Sequence, residues 1–336
     1  MNAATAPADP IRRRLALVCA FALTAAGLAG AARPVHAQAW PAKPIRIIVA
    51  VAPGGPTDQL ARIIGQKLTD AWGQAVTIDN RPGAGQLIGT GIAAKAPPDG
   101  YTFLMTTNVF PVNTFLFDNL PYDPKKDFVP VSLVASSALT LVVHPSLNVT
   151  TVKELIAYAK ANPGKLNFGS SGPSSSLRFA AELLKSQAGI EMTHVPFNGA
   201  APMTTALISG VVQVAIVDSK AAKVYIDSGR LRALAVTSDR RSPNMPDVPT
   251  MGEAGLPGYA AGSWFGLLAP AGTPAAIVAK MQSEVERILK LPDIQQGLKS
   301  QDEVGIGSTP AEFAAFIDAE AVKWGKIIRD NNITAE

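Results

Sequence analysis

The chain has 336 residues, of which 47% are hydrophobic, 17% charged and 6% aromatic, a balance that fits globular structure and excludes wholesale disorder. One cysteine and three histidines exclude a disulfide scaffold and a multi-cysteine metal cluster, and leave little for a histidine-built metal centre. The formal charge of +4 belongs mostly to the first 37 residues: without Arg12, Arg13, Arg14, Arg33 and Asp9 it falls to +1, so charge makes no case for nucleic acid.

Three arginines, Arg12 to Arg14, precede an uncharged apolar run from Leu15 to Ala32, and Val35-His36-Ala37 supplies a small-x-small site. That order predicts a secretory signal peptide over 1–37, removed on export to the periplasm. The run is short for a membrane anchor, and no later stretch has about 18 uncharged apolar residues. After the leader, strand and helix patterns alternate. Ile45 to Val51 is a β-branched run broken by Pro53-Gly54-Gly55, and Leu60, Ile64 and Leu68 then follow a helical period that Gly73 ends. Val76 to Ile78, Tyr101 to Met105, Phe128 to Val134 and Leu139 to Val143 are further strands. Thr151 to Glu154 has capping-box spacing. Leu166 to Phe168, His194 to Phe197, Val211 to Val217 and Leu231 to Thr237 continue the series. Thr273-Pro274 and Thr309-Pro310 mark helix starts near the end, and Thr309 to Glu312 also has capping-box spacing. Phe313, Phe316, Ile317, Trp324, Ile327 and Ile328 then give one apolar face, expected to be core.

Alternating strands and helices predict an α/β protein of βαβ units with mostly parallel sheets. About nine strands exceed one compact sheet, so two lobes are expected.

Two loops carry the plainest chemistry. Ala52 to Asp58 joins a strand to a helix, and Pro53, Gly54 and Gly55 let backbone approach an anion at the helix start, with Thr57 and Asp58 beside them. An ordinary turn capped by Thr57 or Asp58 is the competing explanation. Gly169 to Ser176 repeats the arrangement, with Ser170, Ser171, Ser174 and Ser175 as small hydroxyls able to wrap a carboxylate. Arg178 falls near the first turn of the next helix, where a cation opposes the helix dipole unless an anion sits close; a solvated arginine fits equally well. Asp218 ends an apolar strand and either faces a cleft or caps a turn. Gly83 to Gly89 has the wrong spacing for a dinucleotide loop. No Ser–His–acid spacing stands out.

Taken in order, these loops resemble the Bug-type substrate-binding proteins of tripartite tricarboxylate transporters. The likeness runs over nearly all of the mature chain. It is carried by Ala52 to Asp58, Asn80-Arg81-Pro82-Gly83-Ala84-Gly85, Pro98-Asp99-Gly100-Tyr101, Gly169-Ser170-Ser171-Gly172, Leu231 to Ser238, Pro246 to Thr250 and Leu267 to Pro274. The resemblance implies a two-lobed periplasmic binding protein fold of type II-like form, with a ligand cleft between the lobes. It implies ligand contacts from Pro53, Gly54, Gly55, Thr57 and Asp58 on one lobe and Ser170, Ser171, Ser174 and Ser175 on the other. Thr107, Asn198 and Asp218 are added as strand-end or loop positions beside those motifs. The family usually has His where Arg178 stands, and Gly where Ser174 stands. A permanent charge at Arg178 is expected to favour a second carboxylate on the ligand.

Lobe one is expected over 40–138 and 265–336, and lobe two over 139–264. The expected function is non-catalytic capture of a small di- or tricarboxylate or aromatic acid by a monomer, for delivery to membrane transporter subunits. No cofactor, metal or nucleic acid is expected. Two alternatives stay open: a secreted serine hydrolase using the Ser170–Ser176 loop, and a ligand-sensing accessory to a signalling kinase.

Overall fold

The computed structural model describes residues 40–172 and 175–334; the expected leader over 1–37 and the expected ligand residue Ser174 lie outside the described residues. From Lys43 onward the chain forms one unit. It opens with β1 (Ile45–Val49), α1 (Pro56–Trp72), β2 (Val76–Asn80), α2 (Leu87–Ala94), β3 (Thr102–Thr107), α3 (Val109–Leu116) and β4 (Phe128–Ser137). Next come β5 (Leu139–Val143), α4 (Val152–Ala161), β6 (Asn167–Ser170), α5 (Ser176–Ala188), β7 (Thr193–Pro196), α6 (Ala200–Ile208), β8 (Val214–Asp218), α7 (Ser219–Asp227) and β9 (Arg232–Val236). The chain closes with β10 (Ser263–Pro270), α8 (Ala275–Leu289), α9 (Pro292–Ser300), β11 (Glu303–Gly305) and α10 (Pro310–Asp330).

The strands form two sheets, one in the order β11-β4-β10-β3-β1-β2 and one in the order β7-β6-β8-β5-β9. Each has a parallel βαβ part: β2-β1-β3 in the first and β7-β6-β8 in the second. The sheets are nevertheless mixed rather than mostly parallel. The strands that carry the chain between them, β4, β5 and β10, pair antiparallel with their neighbours. Ser137 ends β4 in one sheet and Leu139 begins β5 in the other, so Ala138 alone makes the first passage. The return is complete at Ser263, where β10 begins. The short edge strand β11 has no apolar alternation and is not foreshadowed by the sequence pattern.

Local chemistry explains the element ends. Gly73 closes α1 in the left-handed region at φ 66°, a conformation that costs glycine nothing. Thr151 and Thr309 each complete the capping box their spacing predicts. Thr273 does not cap α8: its hydroxyl donates to the Pro270 carbonyl at 2.7 Å and Pro274 takes the cap position.

The predicted apolar face of α10 serves two cores. Phe313 meets Trp264 edge-on at 5.7 Å in the core of the six-stranded sheet, whereas Trp324 lies 5.8 Å from Phe179 in the core of the five-stranded one. Between them Glu320 accepts from both indoles, at 3.1 Å from Trp264 and 2.8 Å from Trp324. The helix is thus a strut whose two halves are buried against different sheets. No described helix is long and apolar enough to cross a membrane.

Candidate ligand-binding site

In open α/β sheets, ligands collect where parallel strands end and their helices begin. Each parallel part here supplies three such connections. In the six-stranded sheet they are Ala50 to Gly55 after β1, Arg81 to Gln86 after β2, and Asn108 after β3. In the five-stranded sheet they are Ser171 to Ser175 after β6, Phe197 to Gly199 after β7, and the turn at Asp218 after β8. Every expected site residue among the described ones falls in one of these six connections or within three residues of its end.

The first connection presents backbone. Pro53 and Gly54 are exposed, and Gly54 sits at φ 93°, which an L-residue rarely adopts. Gly55 precedes α1 with no side chain to cap it, and Pro56 at the first helical position has no N–H. The Thr57 and Asp58 N–H groups follow in the first turn, where no intrahelical acceptor exists. Asp58 is a support for this loop. It is 3% exposed, accepts from the Gly54 N–H at 2.9 Å and from Arg62 at 3.0 Å, and takes the Asn80 amide at 2.9 Å on its other oxygen. Burial would raise its pKa, but those donors together hold it below the usual carboxylate value. Thr57 is buried beside it.

The second connection is bound to its neighbours. Asn80 also donates to the Val51 carbonyl at 3.2 Å, and the Arg81 N–H reaches Val49 at 2.8 Å. A Cβ on Gly89 would lie 2.7 Å from the Arg81 carbonyl and 2.8 Å from the Ala50 Cα, so only glycine permits this approach. Gly83, Ala84, Gly85 and Gln86 all have positive φ. Gln86 then donates to the Thr107 hydroxyl at 2.8 Å, and Asn113 holds the Gly85 carbonyl at 2.9 Å. Gln86, Asn108 and Asn113 were not foreseen. The only sequence signal for them is the glycine-rich stretch, whose spacing fits no nucleotide loop.

The serine loop after β6 is bonded largely to itself. Ser170 is fully buried; its hydroxyl lies 2.7 Å from His194 Nε2 and 2.9 Å from the Gly172 carbonyl. Ser175 caps α5, accepting from the Arg178 N–H at 3.3 Å and donating to the same Gly172 carbonyl at 2.9 Å. Ser171 is partly exposed, and Asn198 is exposed. Asp218 caps α7 by accepting from the Ala221 N–H at 3.2 Å, so the turn-capping alternative describes it. Burial, with Asp302 nearby, raises its pKa. The Ser176 hydroxyl meets Ser263 at 3.2 Å, where β10 begins.

Arg178 is neither solvated nor set in one of the six connections. It is 7% exposed, donates to the Thr334 carbonyl at 2.7 Å and has its Nε 3.8 Å from Glu182. Its cost at a helix start is met by Glu182 one turn on and by the end of the chain, rather than requiring an anionic ligand.

The Ser170–His194 pair bears on hydrolysis. His194 stacks on Phe168 at 4.9 Å, and burial, then the charges of Arg178 and Lys185, push its pKa down to about 4. A neutral imidazole could accept a proton. No acid among the described residues hydrogen-bonds its other nitrogen, and the Ser170 hydroxyl has no exposed surface for a substrate to reach.

Residues 60–333 match the profile of the tripartite tricarboxylate transporter family receptor. Protein BugT of Bordetella pertussis is 37% identical over 320 residues, covering 95% of this chain and 97% of that protein. The structure of R. palustris Rpa4515 with adipate aligns at a TM-score of 0.79 and 37% identity, over 88% of this chain and 99% of that one. MatC from Rhodopseudomonas palustris with bound malate aligns at 0.75 and 31% identity, over 86% of this chain and all of the other. With this coverage, and with the two-sheet α/β architecture above, the chain belongs to the tripartite tricarboxylate transporter receptors, the Bug-type solute-binding proteins.

Proposed function

We propose that this protein is an exported periplasmic receptor that closes two lobes on a small organic carboxylate and presents it to membrane transporter subunits. The lobes divide at Ala138 and Ser263, where the chain passes between the sheets. The observation that carries the reading is the placement of six glycine-, serine- and amide-bearing connections, three in each sheet, at the carboxyl ends of two parallel βαβ parts. Membership of a receptor family and the carboxylates bound by Rpa4515 and MatC support it further.

In this proposal the ligand's carboxylate accepts from the Gly55 and Thr57 N–H groups at the start of α1, in a loop shaped by Pro53 and by Gly54, whose own N–H is held by Asp58. Ser171, Ser174, Ser175, Asn198 and Thr107 complete the ring of contacts. Asp58, Ser170 and Asp218 keep the loops in shape through their internal hydrogen bonds. Closure of the lobes is the state that the membrane partner reads.

The experiment is calorimetry on the mature chain, refolded to strip carried-over ligand, against mono-, di- and tricarboxylates. One selective carboxylate with a single site supports the proposal. Heat-silent titrations for every acid, together with ester turnover lost in Ser170→Ala, would replace it with the hydrolase.

A further inference from the structure

Four buried side-chain atoms that no hydrogen bond accounts for fall in the stretch from Gln86 to Asn113: Gln86 Oε1, Thr106 Oγ1, Asn108 Nδ2 and Asn113 Oδ1. Thr106 is fully buried and Asn108 is 2% exposed, yet β3 ends between them at Thr107, in one of the ligand-side connections. Buried polar groups of folded proteins are nearly always paired, so this concentration asks for a partner. Gln86 is only partly buried, so the group opens toward the surface through it.

The chemistry of the set selects that partner. Asn113 is fixed by donating its Nδ2 to the Gly85 carbonyl, which leaves Oδ1 as an acceptor. Gln86 spends its Nε2 on Thr107, which leaves Oε1 as an acceptor. Asn108 Nδ2 is a donor. Thr107 already receives Gln86 and, at 3.5 Å, the Val109 N–H, so its own proton remains to give. Gln86 and Thr107, joined by their hydrogen bond, therefore offer an acceptor and a donor without charge, and Asn108 follows Thr107 in the chain. The arginines of the adjoining loops are committed, Arg62 to Asp58 and Arg81 to Asp79. A carboxylate only accepts, and would leave Gln86 Oε1 bare; an alcohol both donates and accepts.

Resting on the carboxylate-receptor reading, we infer that Gln86, Thr107 and Asn108 form a subsite for an alcohol group on the ligand, and that the protein prefers hydroxycarboxylates to carboxylates of the same skeleton. A site built around a ligand hydroxyl rejects the analogue without it, because its own polar groups then stay buried and unpaired.

Matched pairs test this by calorimetry on the refolded mature chain: malate against succinate, and citrate against tricarballylate. The hydroxy acid of the pair that binds is expected to bind about ten-fold tighter or more. Gln86→Met, at a partly exposed position, and Asn108→Leu should each bring the ratio toward one while leaving the plain acid within about three-fold. The Gln86 variant stands if the buried Asn108 variant does not fold. Equal affinity within each pair for the unaltered protein would overturn the inference and leave the receptor intact, with water as the partner of these groups. A preference that survives in Gln86→Met would overturn the assignment to this subsite. Silence toward all four acids, and toward other carboxylates, removes the receptor reading and this inference with it.

Discussion

The two sets of connections are built on opposite plans. Those of the six-stranded sheet are tied to one another, through the Asn80 and Asp58 side chains and the close approach at Gly89, and they keep exposed glycine backbone and amide atoms without a partner. In the five-stranded sheet the serine loop is tied to itself and to the next strand: the Ser170 and Ser175 hydroxyls both donate to the Gly172 carbonyl, and Ser170 also meets His194. A loop whose polar groups are already satisfied has little left to offer a ligand except its outer atoms. In the proposed receptor, chemical selectivity then resides mainly in the first set, and the second contributes the outer atoms of its loops.

The largest effect should come from filling the glycine contact. Gly89→Ala pushes a methyl against backbone that cannot give, so urea unfolding should show a loss of about 2–3 kcal/mol. Gly169→Ala, in the other sheet, meets side chains rather than backbone, Met203 and Val212 at 3.1 Å and Phe197 at 3.6 Å, and should cost under about 1 kcal/mol. Equal costs would erase the contrast. Deleting the central support of each set comes next. Asp58→Ala leaves the Gly54 N–H and the Asn80 amide without their acceptor and should cost about 2–3 kcal/mol, with weakened ligand binding. Ser170→Ala strands a buried His194 nitrogen for about 1–3 kcal/mol, and calorimetry should find ligand affinity nearly unchanged.

Acid and base act on the two sheets with opposite sign. Burial, then the charge of Asp218, pushes Glu303 in β11 up from 4.5 to about 7. The folded state keeps a proton that the unfolded chain has lost, so this stability is full below pH 4.5 and disappears as pH rises through about 7. His194 in β7 runs the other way: its contribution is full above pH 6.5 and is lost as pH falls through about 4. Each spans on the order of 3 kcal/mol, and they offset one another between the two limits. Glu303→Gln should therefore remove the alkaline loss and expose a slope that rises with pH between about 4 and 6.5. Melting temperatures across pH 4 to 8 would reveal it, and a profile parallel to the unaltered protein's would deny Glu303 the role. The last effect is the cap: Ser175→Ala should cost about 1 kcal/mol.

Much of this was legible in the sequence where a local rule decides. The β-branched run at Ile45, the stop at Gly73 and the boxes at Thr151 and Thr309 each need only neighbours along the chain. Arg178 was not legible, because its partner Thr334 is 156 positions away. The same holds for the Ser170–His194 bond, which depends on β6 and β7 pairing in register, and for β11, held by β4 rather than by its own pattern. The site was legible as a set of loops. Which members support and which face outward depended on burial, as Asp58 and Ser170 demonstrate.

In the function proposed above, this chain is a receptor for one small carboxylate. Calorimetry of the refolded mature protein against a panel of organic acids tests it most directly. One-to-one binding of a single acid, recovered chemically unchanged, is the expected result. Absence of binding across the panel, or conversion of the acid, would contradict it.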